Sequence, residues 1–210
     1  MTELNQGNFQ KNSAASLSEA KGEKENVNEL LYAQLVQFDR ALLKNQMETL
    51  SVLQLVDFLK TSHKHYLTKV LPEIEQSLLH IISKFSESHR LLTGLAYYFN
   101  NYKNKLINHI KMEEDMFFPY VEALVDGKVN DTLSQTALAN FEDNHDSVED
   151  ELTEVARVLF DLADGTNAPL PFKVFLNQVS IFELELRKHA FIEDEVLFPK
   201  LIALEKELNA

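Results

Sequence analysis

One stretch occurs twice in this chain, and it restricts the possible folds more than any other feature. Residues 109–124 read HIKMEEDMFFPYVEAL and residues 189–204 read HAFIEDEVLFPKLIAL. At an offset of 80 positions His109 matches His189, Glu113 matches Glu193, and Phe118-Pro119 matches Phe198-Pro199. An α-helix turns once in about 3.6 residues, so a His and a Glu four apart project from one face, within reach of one cation. The upstream halves repeat as well, because His63 precedes His109 by 46 residues and His145 precedes His189 by 44. A duplicated helix pair therefore offers His63, His109, Glu113, His145, His189 and Glu193 as candidate metal ligands.

Composition narrows the chemistry. The 210 residues are 45% hydrophobic, enough for one substantial core, and only 5 Gly and 5 Pro interrupt long tracts without strand-like alternation. An all-α fold is expected. A formal net charge of −13 repels phosphate backbones and anionic lipid, which argues against nucleic acid and membrane partners. With no cysteine, disulfides, thiolate catalysis and Cys-held clusters are excluded within the chain, leaving imidazoles and carboxylates as the strong metal ligands. No apolar run resembles a signal peptide or reaches membrane-spanning length, so a soluble, cytoplasmic protein is expected.

Along the chain, residues 1–26 are polar and read as a disordered tail, and residues 27–48 as an accessory N-terminal helix. Residues 49–210 are expected to form an up-down-up-down four-helix bundle. Its first helix starts at a Thr49 or Ser51 cap, meets Pro72 and ends near Lys84; the second runs from 86–88 to about Val125, bent at Pro119 and closed by Asp126-Gly127. The third spans about 132–163, stopped by Gly165, and the fourth runs from about Phe172 with a bend at Pro199. His63 lies 21 residues before the first connection and His109 lies 23 after it, a mismatch of about 3 Å along the axis. The other two pairings agree similarly, so all six candidates fall at one level.

Neighbouring residues read differently. His65 is about 200° around the helix from His63 and cannot share its face. Tyr66 reads as an ordinary core aromatic, with a place in the lining of the site as the alternative; His80 and His89 lie far along the bundle, and Glu114, Asp115, Asp194 and Glu195 read as a solvated face. The Phe-Pro pairs read as packing, a bend and a cap on the dry end of the pocket. Two helices supplying His alone and two supplying His plus Glu would give each of two ions two nitrogens and two oxygens, with a further bridging oxygen as fifth ligand. Iron or manganese suits such a donor set better than calcium, magnesium or tetrahedral zinc, with iron the favoured occupant.

These histidines, with H-x3-E on the second and fourth helices, resemble the hemerythrin-like HHE cation-binding domain. SHKHYLTKVLPEIE, HIKMEEDMFFP and KHAFIEDEVLFP resemble more narrowly the di-iron proteins that repair iron centres, also called iron–sulfur cluster repair proteins. The resemblance covers about residues 49–206. It implies a non-haem, carboxylate-bridged di-iron centre, with an oxo or hydroxo bridge, in which His63, His109, His145 and His189 are terminal ligands and Glu113 and Glu193 are bridges. It further implies iron–sulfur proteins as iron acceptors, NO or O2 as small ligands, and a monomer or homodimer. Two departures stand out. Phe141 and Glu149 flank His145 where oxygen carriers have a fifth histidine, which favours iron donation or redox reaction over oxygen carriage. No cysteine pair precedes the bundle, as it does in many repair proteins. The expected function is support of iron–sulfur cluster recovery after nitrosative or oxidative damage. The alternatives are an O2 or NO sensor or carrier, a di-iron NO reductase or peroxidase, and a metal-free structural bundle.

Overall fold

The computed structural model describes residues 38–85, 89–128 and 169–208, all of whose regular structure is helical. A short helix α1 (Arg40–Glu48) is capped by Asp39, whose Oδ1 accepts the Leu42 N–H at 2.9 Å. The first arm is α2 (Val52–His65), a π-helical turn π1 (Tyr66–Val70) and α3 (Leu71–Lys84). Ser51 starts it through a capping box, accepting from Gln54 N–H while its own N–H donates to Gln54 Oε1 at 2.8 Å. The second arm is α4 (His89–Met112), π2 (Glu113–Phe117) and α5 (Phe118–Val125). It ends at Gly127, whose φ of 65° and Gly127→Leu124 and Lys128→Ala123 backbone bonds form a Schellman motif. The last arm is α6 (Leu170–Ile192), π3 (Glu193–Leu197) and α7 (Phe198–Leu208). The expected tail, the start of the accessory helix, and the third helix at 132–163 with its Gly165 stop lie outside the described residues.

Within the compact unit that begins at Phe38, α3 packs on both α4 and α6 while α2 packs on α5. The far half of the first arm thus meets the near halves of the other two, which makes the first arm antiparallel to both. The molecule is an all-α helical bundle.

Each of the three described arms contains a proline two residues after its π-turn, and the two features have one cause. A proline in an α-helix clashes with the carbonyl four residues earlier and cannot donate to it. In all three arms the residue just before the proline donates instead to the carbonyl five back: Leu71 to Tyr66, Phe118 to Glu113, Phe198 to Glu193. The wider turn moves the obstructing carbonyl aside, so Pro72, Pro119 and Pro199 sit in the first turn of the next α-helix, where a missing N–H costs little. The expected proline bends are therefore inserted residues.

The insertion is visible in the core. Inward positions advance by seven and then slip by one: Val56 and His63, then Leu71; Phe99, Leu106 and Glu113, then Val121; Val179, Leu186 and Glu193, then Leu201. All are buried. Without the slip Met116, which is 57% exposed, would take the place that Phe117 fills. At the end of the bundle built by α2, α5 and α7, Leu55, Leu59, Phe118, Val121, Leu124, Val196 and Leu201 belong to an apolar cluster against which Leu43, Met47 and Leu50 pack. Lys200 anchors α1 by donating to the Glu48 and Leu50 carbonyls at 3.0 Å each.

Candidate metal centre

The stripes that build the core also carry polar residues into it, at the level where each arm widens. His63 arrives on α2, His109 on α4, His189 on α6, and Glu113 and Glu193 open π2 and π3. His63, Glu113, His189 and Glu193 are all buried and present ligating atoms within 4.8 Å of one another. His63 Nε2 lies 3.0 Å from His189 Nε2 and 3.1 Å from Glu113 Oε2. Glu113 Oε1 faces His109 Nε2 at 3.1 Å, and Glu193 Oε1 faces His189 Nε2 at 3.1 Å. One carboxylate therefore turns its two oxygens toward two different histidines. His145, with its neighbours Phe141 and Glu149, lies outside the described residues.

The donor set fits a cation. Glu113 is wholly buried, and neither oxygen makes a hydrogen bond of acceptable geometry. A buried carboxylate in that condition costs several kcal/mol unless a positive charge is brought to it. Imidazole nitrogens and carboxylate oxygens, four from buried side chains at one point, are the ligands that first-row transition metals take. In a metal-holding site the four residues named, joined by His109, would supply the donors.

The surroundings fix these rings. Phe118 stacks on His63 with centroids 5.7 Å apart and planes at 25°. Tyr66 meets His189 edge-on at 5.8 Å and donates to the Glu185 carbonyl at 3.3 Å. Burial first, then the Glu185 and Glu193 charges, push its hydroxyl well above the usual phenol range, so it stays a donor. A cavity of about 340 Å³ reaches His189 between Phe58, Tyr66, Ile192 and Leu43 of α1. His65 and His80 are exposed, in keeping with their exclusion.

Glu114 keeps the exposed face its sequence reading assigns, with its side chain 41% exposed, and in addition its Oε1 lies 3.0 Å from His63 Nδ1. Sequence held only a weak signal for it: the residue after a core glutamate points about 100° away, toward whichever helix packs on that side.

An all-α bundle that gathers inward histidines and glutamates at one level is a metal-binding protein by architecture. The hemerythrin HHE cation-binding domain matches residues 54–201, and the chain belongs to that family. It is similar to the iron-sulfur cluster repair protein YtfE of Citrobacter koseri, with 21% identity over 188 residues, covering 90% of this chain and 83% of that protein. The YtfE protein of Enterobacter sp. strain 638 is 20% identical over 171 residues, covering 81% of this chain and 76% of its own. No solved structure matches the chain.

Proposed function

We propose that this chain holds two non-haem iron ions between its arms and supports the repair of iron–sulfur clusters, acting on damaged iron–sulfur proteins as iron acceptors. The observation that carries the reading is Glu113, whose two buried oxygens face His63 and His109 separately. A carboxylate so placed would hold an ion on either side, with His63 Nε2 3.1 Å from one oxygen and His109 Nε2 3.1 Å from the other. In this reading Glu193 and His145 would supply the remaining donors. The cluster-repair names of the similar proteins support the choice of iron and of acceptors. Bound iron would supply one-electron chemistry and a coordination position for NO or O2.

The chain's own residues do the rest. Burial of Glu113 and Glu193 keeps bulk water from competing for the donors, and Phe118 and the adjoining apolar cluster seal one end. A second reading, a sensor or carrier of small neutral molecules, is favoured by the cavity beside His189. Transfer separates the two. Iron-loaded protein mixed with an apo iron–sulfur acceptor, sulfide and a thiol reductant should lose iron and restore the acceptor's cluster absorbance, and Glu113→Ala should start with most of its iron already missing. Reversible ligand spectra with iron content unchanged after such mixing would contradict the repair reading.

A further inference from the structure

We propose that Glu114 is a positioning residue that holds His63 in the tautomer and ring orientation required for metal binding. This rests on the metal reading above. His63 Nε2 is the atom turned to Glu113 and His189; for a metal to bind there its lone pair must be free, which requires the ring proton on Nδ1. Nδ1 faces Glu114 Oε1 at 3.0 Å, a charged acceptor for that proton. The contact joins α2 to π2 across 51 residues of sequence. Phe118 restrains the face of the ring and Glu114 its far edge, which together leave the imidazole one orientation.

Glu114 is no ligand itself. Its side chain is 41% exposed while its neighbour Glu113 is fully buried, so the adjacent acids divide the work: one faces inward, the other braces the histidine from outside. The bond ties a buried donor to a carboxylate at the surface. Partners of this kind change metal affinity by roughly 10–100-fold when removed. Asp194, directly after Glu193, occupies the corresponding place in the last arm.

The test uses the full chain with Fe(II) alone. Glu114→Ala should weaken iron binding about 10–100-fold in competition with a chelator and shift the midpoint potential, leaving the metal-free melting temperature unchanged. Glu114→Gln, which keeps a neutral acceptor, should recover part of the loss, and Asp115→Ala, which removes the same charge from an exposed neighbour, should cause none. In the metal-free chain, NMR with 15N-labelled histidine should show a protected His63 Nδ1–H that disappears in Glu114→Ala. Wild-type affinity and an unchanged Nδ1–H signal in Glu114→Ala would overturn the proposal. If the wild-type chain took up no iron but the signal still depended on Glu114, the bracing role would stand and the iron reading would fall.

Discussion

Glu183 shows what a single buried acid does to this fold away from the metal level. It is fully buried on α6, one oxygen accepting from Arg187 Nε at 3.0 Å and from its Nη2 at 2.9 Å. Burial raises its pKa above the ordinary 4.5, and the Arg187 hydrogen bond and charge only partly oppose the rise. The folded chain therefore keeps this proton to higher pH than the unfolded chain does, and unfolding releases it. Its contribution to stability is greatest below pH 4.5 and declines as pH rises through the folded pKa. In urea titrations across that window, Glu183→Gln should gain on the wild type as pH increases. A difference independent of pH would contradict the assignment.

At the scale of elements, the π-turns decide what faces what. Met116 is in effect the inserted residue of the second arm, since the buried stripe resumes correctly only beyond it. Deleting Met116 should force π2 toward α-helical geometry against Pro119, at a cost of roughly 3 kcal/mol. Adding Pro119→Ala to the deletion should recover most of that loss, as read from chemical denaturation. Equal stability of the deletion with and without Pro119 would remove the proline from the explanation. The same turns mark how far the sequence could be read. Helix ends at Lys84 and Val125, the Ser51 cap and the Gly127 stop follow from local chemistry that acts within a few residues, and the structure has them. The inward placement of His63 over His65 followed from periodicity in the same way. The prolines were visible, but whether a chain meets one by kinking or by widening a turn depends on packing from neighbouring arms. Glu114 was hidden for a related reason, because its partner lies on another helix and only the rotation of the two arms brings them together.

For the whole molecule, the metal level sits between apolar layers, so the bundle has stability to gain from its cargo. Two buried acids from different arms are drawn close to each other and to two histidines, and a cation held there would join the arms that carry them. A ligand present at about 1,000 times its dissociation constant adds about 4 kcal/mol to the folded state. In a chain of this size each kcal/mol moves the melting temperature by about 2–4 °C. Chelation should accordingly lower the melting temperature by roughly 10 °C in calorimetry, and added Fe(II) should restore it. The charge of −13 favours cation approach in the same direction.

The central claim is that the arms converge to hold two ions bridged by Glu113 and Glu193. Anomalous diffraction at the iron edge, from crystals of the iron-loaded full chain, tests it most directly. The account predicts two peaks about 3.5–4 Å apart, within bonding distance of both carboxylates and of His63, His109 and His189. A single peak, or peaks away from Glu113, would contradict it.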